Sequence, residues 1–217
     1  MKNKTNLAFT ILESTAVLLI TTVILGSFFS LSNITKSYRK FQENIFLFNQ
    51  DLKYVLDLST KGNEFNLSGT TSTLCGTGIV LNSQEKKYYL IAYATISSST
   101  VIDCLEIAST SPNSFDFSIN SPNIYISKTG NFTNSSSEAL IRNLELVEDI
   151  KLATNTLIDF ATASIVFINP LGEPIGFYST SSNSYKLNFD DSFHIIFIKN
   201  NERSTTTIFK TGKIISK

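Results

Sequence analysis

Hydrophobic and polar positions divide this chain into three regimes. Residues 1–8 are short and polar, with Lys2 and Lys4 and no acid, and run straight into an apolar stretch over residues 9–31 in which Glu13 is the only charge. At about 1.5 Å per residue a helix over that stretch is roughly 34 Å long, enough to cross a hydrocarbon layer of about 30 Å. Lys2, Lys4 and the initial amine favour a cytoplasmic start, while Lys36, Arg39 and Lys40 on the far side oppose that vote. A cleaved secretory signal is the competing reading. It calls for a shorter apolar core and a small-residue site after it, but Phe28, Phe29 and Leu31 interrupt any Ala-x-Ala pattern.

Past the apolar stretch the pattern turns amphipathic. Phe41, Ile45, Phe48, Leu52 and Val55 recur at four, three, four and three residues, with Lys40, Glu43, Gln50, Asp51 and Lys53 between them. That spacing predicts one apolar stripe on an otherwise wet helix. Lys61-Gly62-Asn63 reads as its stop, a basic last turn followed by a residue that adopts the left-handed conformation cheaply. A single helix over residues 9–60 is expected, half in lipid and half in need of a partner.

The third regime supplies that partner. Runs rich in β-branched and aromatic residues predict strands at 77–81, 87–95, 101–107, 115–119, 124–127, 144–152, 164–168, 175–178, 185–189, 193–199, 204–209 and 213–215. Asn82-Ser83-Gln84-Glu85, Asn169-Pro170-Leu171-Gly172 and Asn200-Asn201-Glu202-Arg203 read as the turns, and residues 109–137, dense in Ser, Asn, Thr and Pro, as an exposed insertion. Antiparallel sheet is the economical arrangement. The expected class is therefore α+β, a long N-terminal helix packed on an antiparallel β-rich head, with 1–8 a leader, 9–31 a membrane half, 32–61 an amphipathic half and 62–217 the head.

Composition narrows the partners. The 217 residues carry 18 Lys and Arg against 18 Asp and Glu, so no global field steers the protein to nucleic acid or an anionic surface. Cys75 and Cys104 are its only cysteines. An exported head permits one disulfide between them; two buried free thiols are the alternative, and the sequence does not choose.

The segment Ala8-Phe9-Thr10-Ile11-Leu12-Glu13 resembles the prepilin processing site of type IV pilins and pseudopilins. The resemblance implies a leader ending at Ala8, where the family usually has Gly, cleavage before Phe9, and N-terminal methylation of Phe9. Glu13 then stands fifth in the mature chain. A carboxylate inside hydrocarbon costs about 2.5 to 3.5 kcal/mol on insertion scales, so it calls for a partner. The family implies that this partner is the new amine at Phe9 of a neighbouring subunit; a Glu that snorkels to water explains Glu13 alone. More loosely, Cys75-Gly76-Thr77-Gly78-Ile79-Val80, the strand ending Asn169-Pro170-Leu171-Gly172 and the closing Lys210-Thr211-Gly212-Lys213-Ile214-Ile215 resemble minor pseudopilins of the GspH/FimT type.

What the resemblance implies is a structural subunit of a type IV pilus or a type II secretion-like filament, in the cytoplasmic membrane with an extracytoplasmic head. Its implied partners are other pilin or pseudopilin subunits, the prepilin peptidase, an inner-membrane assembly platform and membrane lipid. Neither a cofactor nor an enzyme activity is expected: His194 is the only histidine, set in a strand, and no phosphate loop, nucleophile elbow or zinc spacing occurs. Acidic loops bind calcium in some members of the resembled family, which makes Asp190 and Asp191 a minor calcium candidate; two adjacent carboxylates in a turn are more often simply solvated and calcium takes six to eight oxygens, so no metal is expected. The C-terminal region holds Lys199, Arg203, Lys210, Lys213 and Lys217. Some relatives in the resembled family bind DNA through such a patch, which makes Lys210, Lys213 and Lys217 candidate phosphate contacts; Ile214 and Ile215 break the family's denser basic motif, and a solvated edge that discourages strand pairing is the other reading. A signal-anchored β-rich binding protein that never polymerises is the alternative outside the family.

Overall fold

The computed structural model of the chain describes residues 11–61, 64–67, 70–95, 124–169, 171–180 and 183–217. Among the described residues one helix, α1 (Ile11–Lys61), is followed by fourteen strands. A long N-terminal helix and an antiparallel β-rich body make the protein α+β. The helix contributes to two compact units: one ends at Lys40, and the other is Phe41–Lys217.

Within the second unit two sheets form, both antiparallel throughout. The larger holds β1 (Glu64–Leu67), β2 (Thr70–Asn82), β3 (Lys87–Thr95), β4 (Ile124–Ile126), β5 (Phe132–Thr133), β6 (Ile141–Asn143), β9 (Thr162–Ile168), β10 (Glu173–Ser179) and β11 (Ser184–Leu187). Its main path runs β11-β10-β9-β2-β3-β4-β5, with β1 added to β2 and β6 to β3. The smaller runs β14-β13-β12-β7-β8, from β7 (Asp149–Ala153), β8 (Leu157–Ile158), β12 (Ser192–Lys199), β13 (Glu202–Phe209) and β14 (Ile214–Ser216).

The predicted stripe is the seed of the core. Phe41, Ile45, Phe48, Leu52 and Val55 are all buried, in one cluster with Ile79, Leu81 and Leu90 of the larger sheet and Phe193, Ile195 and Phe197 of the smaller. Full burial of such a side chain stabilises by roughly 1.5 to 3 kcal/mol. Phe48 touches both sheets, edge-on to Tyr88 at 5.1 Å and to Phe197 at 5.0 Å between ring centroids. In β12 burial alternates strictly, so one of its faces meets this core. β9 is instead buried on both faces, because Val80, Tyr89, Ile91, Tyr125, Ala139, Val166 and Ile168 form a second apolar cluster. That is why residues 165–168 of it read as an unbroken apolar run.

Several expectations shift. The run at 144–152 becomes strand only from Asp149; Leu146 takes a left-handed φ of 67° in a turn before it. Leu144 and Val147 imitated a strand because they too reach the core. Residues 109–123 lie outside the described residues, as do the strands expected at 101–107 and 115–119. The strand expected at 124–127 is present as β4, with Ile124, Tyr125 and Ile126 buried and paired with β3, so this part of the overlapping expected insertion is not an exposed loop. β1, β5, β6 and β8 were not anticipated, being two to four residues long with too little apolar sequence to register.

Candidate functional site

Two places carry chemistry, the apolar part of α1 and the region where its second part enters the sheets. In the first, Val17, Leu18, Leu19, Ile20, Val23, Ile24, Leu25, Phe28, Phe29 and Leu31 are all exposed. Among the described residues this is the one helix long and apolar enough to cross a membrane. Five of its hydroxyls bond back to carbonyls of the same helix. Thr15 donates to the Ile11 carbonyl at 3.1 Å, Thr21 to Val17 at 2.6 Å, Thr22 to Leu19 at 2.8 Å, Ser27 to Val23 at 2.8 Å and Thr35 to Leu31 at 2.9 Å. Back-bonding of this kind lets Ser and Thr sit in hydrocarbon without an unpaired donor. Glu13 is exposed in the first turn, where a carboxylate also complements the helix dipole. Ala8 and Phe9 lie outside the described residues.

Helical spacing gathers one further feature that the sequence reading missed. Thr15, Thr22, Gly26, Ser30, Asn33 and Ser37 follow one another at seven, four, four, three and four residues, which puts them on one side of the helix. A Cβ added at Gly26 would meet nothing within 4 Å. The signal was present as a spacing of small residues, masked by an overall apolar composition that invites reading for length alone.

In the second place, four polar ties fasten the helix to the rest of the body. The amide of Asn44 donates to the Glu145 carbonyl at 2.5 Å, and Thr206 donates to the Asn49 side-chain oxygen at 2.9 Å. Thr77 donates to the Val55 carbonyl, and the Tyr88 hydroxyl donates to Asp51 at 2.7 Å. Arg142 adds an ion pair to the same carboxylate oxygen at 3.2 Å. Asp51 was expected on the wet face of the helix; its side chain is only 13% exposed, because Arg142 and Tyr88 reach it from the larger sheet. Nothing local in the sequence marks those partners, which lie 91 and 37 residues away.

Tyr88 carries the clearest electrostatic perturbation. Burial first, then the Asp51 carboxylate, pushes its hydroxyl well above the ordinary tyrosine range, with Arg142 opposing. Burial raises Tyr89, Tyr93 and Tyr125 as well. A raised folded-state value favours the neutral form, so this stability is complete below the unfolded value of about 10 and is lost as pH rises past it. The midpoint of thermal unfolding is therefore expected to fall steeply above about pH 10, and Tyr88→Phe to flatten that slope while lowering stability by about 1 kcal/mol at neutral pH. A flat alkaline profile for the parent protein would contradict this.

The cysteine expectation meets a specific backbone device. Register between β2 and β3 shifts between Leu74 and Gly76, leaving Cys75 as the extra residue of a β-bulge. Cys75 is buried and disulfide-bonded. Cys104, the other cysteine of the chain, lies outside the described residues. Asn169 closes the bulge from β9, its backbone NH on the Cys75 carbonyl at 2.9 Å and its amide on the Leu74 carbonyl at 2.8 Å.

The C-terminal cations do not gather in one patch. Lys199 is buried, its ammonium 5.8 Å from the Phe41 ring centroid. Lys210 and Lys213 flank the turn before β14, while Lys217 lies beyond β14 and pairs with Thr205. Exposed Lys210, Lys213 and Lys217 are thus distributed over both ends of a short strand. Lys210 instead joins Glu173, Lys186, Asp190, Asp191 and His194 around an open cleft of about 690 Å³. His194 is half-buried, with Nδ1 2.9 Å from the Thr207 hydroxyl. Among the described residues no three His, Cys, Asp or Glu side chains are grouped to hold a metal ion.

No protein-family model, curated protein or solved structure matches this chain. The functional reading therefore rests on its own residues.

Proposed function

We propose that this protein is a type IV pilin-like subunit. It is inserted as a precursor, cut between Ala8 and Phe9, held in the cytoplasmic membrane by the first part of α1 and assembled with like subunits into a pilus or secretion-type filament. One observation carries the reading: an exposed apolar helix, with a carboxylate in its first turn, continues without a break into the stripe that forms the core of the body. A removable signal has no need to share a helix with the core of the mature protein. A disulfide at Cys75 suits an oxidising compartment outside the cytoplasm.

In this reading Glu13 is neutralised by the amine that cleavage exposes on a neighbouring Phe9. The small side from Thr15 to Ser37 lets helices approach closely, as small residues do between membrane helices. The prepilin peptidase and an inner-membrane assembly platform are its transient partners, and the protein has no catalytic role of its own. The body gives the filament its outer surface. DNA binding through Lys210, Lys213 and Lys217 is the weaker variant of this proposal, because those cations are spread out.

Mass spectrometry of the mature N-terminus tests the processing step. A methylated Phe9 is the expected result; an intact Met1 in producing cells overturns it. Glu13→Ala is expected to abolish or strongly reduce filament incorporation while the subunit stays in the membrane. Unchanged filament yield would leave only an anchored protein that does not polymerise.

A further inference from the structure

We propose that Lys36 and Arg39, with Lys40 beside them, form a facet that binds the phosphate of anionic phospholipids in the leaflet nearest the continuing chain. This rests only on the membrane-spanning part of the function proposed above, not on filament assembly.

Position is the first argument. Residues 14–35 contain no charge, and Glu13 and Lys36 bracket that stretch. Their separation along the helix is about 34 Å at 1.5 Å per residue, slightly more than a hydrocarbon layer of about 30 Å. A bilayer that covers the apolar segment therefore brings Lys36 to the level of the headgroups. Tyr38, 44% exposed, sits in the same turn, at the depth where aromatic rings with a polar tip are favoured.

Charge is the second argument. Lys36, Arg39 and Lys40 are three and four residues apart, so they share one side of the helix, where like charges repel. Lys36 and Arg39 are exposed, and neither takes part in the ion pairs formed among the described residues. Glu43, one turn further on, pairs with neither of them. On a protein that is neutral as a whole, Lys36 and Arg39 are thus local positive charge with no ion pair among the described residues. Headgroup phosphate at the same depth supplies a counter-charge. A guanidinium offers two parallel hydrogen bonds to a phosphate, and an ammonium a compact charge beside it.

Near an anionic surface each such cation is worth about a factor of five in association, so Lys36 and Arg39 together give roughly 25-fold. The orientation of the helix does not alter the assignment, because the facet follows the apolar segment whichever way the chain crosses. Three cations on the exported side would also weaken the usual charge bias, so the lipid contact gives them a reason to be there.

The test uses the full chain in neutral detergent micelles, offered equal amounts of phosphatidylglycerol and phosphatidylcholine with the same acyl chains. Retained lipids are counted by native mass spectrometry. Phosphatidylglycerol is expected to be retained about 25-fold in preference, with the preference shrinking as salt is raised. Lys36→Gln combined with Arg39→Gln should remove that 25-fold preference and bring the ratio close to one, whereas Lys36→Arg should keep it. Both sites lie outside the unit Phe41–Lys217, so an unchanged unfolding midpoint of that unit confirms that the variants fold. Equal retention of both lipids by the parent, or an undiminished preference in the double variant, overturns the facet. Displacement by inorganic phosphate at matching concentration also overturns it, since the ligand is then a free anion. Flotation with phosphatidylcholine vesicles separates the two layers of the argument: a chain that does not float has no membrane helix, and one that floats yet retains both lipids equally lacks only the facet.

Discussion

Gly78→Ala is expected to lower the stability of the body by about 3 kcal/mol or more, because a single added carbon has nowhere to go. A Cβ at that position would stand 2.0 Å from the Ile165 carbonyl oxygen and 2.8 Å from the Val166 Cα. Both are backbone atoms of β9, so no rotamer change relieves the contact. Gly78 pairs with Ile91 on one side and Val166 on the other, which places it in the middle of the longest strand of the larger sheet. Relief requires β2 and β9 to separate, and with them the core side chains Ile79, Leu81, Ile165 and Phe167. Urea unfolding of the full chain gives the measurement, read from the midpoint with an unchanged slope. Gly26→Ala is the matched control. Its new methyl meets no neighbour, alanine favours a helix over glycine by about 1 kcal/mol, and the unfolding of the body should not move. Equal stability of Gly78→Ala and the parent would mean that β2 and β9 lie further apart than described.

Phe48→Ala carries the other large effect, and it reports on how the helix is joined to the body. The ring is fully buried and contacts an aromatic ring from each sheet, Tyr88 and Phe197. Removing a buried phenyl costs about 3 to 5 kcal/mol, from lost transfer energy and the cavity left behind. Neighbouring positions should respond less. Phe46, on the same helix but 61% exposed, should change stability by no more than about 0.5 kcal/mol on substitution by alanine. If both substitutions prove equally mild, the amphipathic half of the helix does not complete the core. Thermal unfolding followed by circular dichroism distinguishes the outcomes.

Much of the architecture could be read in the sequence because strong periodicity leaves little freedom. The stripe from Phe41 to Val55 occupies the core, and the strand expected at 87–95 has the bounds of β3. Runs rich in β-branched and aromatic residues with turn residues beside them, such as those forming β9, β12 and β13, match the expected strands within a few residues of their limits. Two of the failures share a physical origin, which is distance along the chain. Arg142 and Tyr88 convert Asp51 from a solvated helix residue into a half-buried tie, and neither partner is visible from its neighbourhood. Lys199 looked like surface charge because its burial depends on the ring of Phe41, far away in sequence. Leu144 and Val147 looked like strand because burial and strand geometry are the same signal in a short apolar run. The candidate site divides along the same line. Glu13 and the apolar segment declare themselves by composition, while the small side of the helix needed its positions projected on a wheel.

The four ties between the helix and the rest of the body have a mechanical consequence. Asn44, Asn49, Asp51 and Val55 are spread over three turns of the segment inside the body, and they engage Glu145 in the turn before β7 and Thr206, Tyr88 and Thr77 on three different strands. Tension applied along that segment would load all four attachments and the buried rings together, in shear, instead of peeling them one at a time. Rupture of that segment from the body would therefore need the whole core to yield at once.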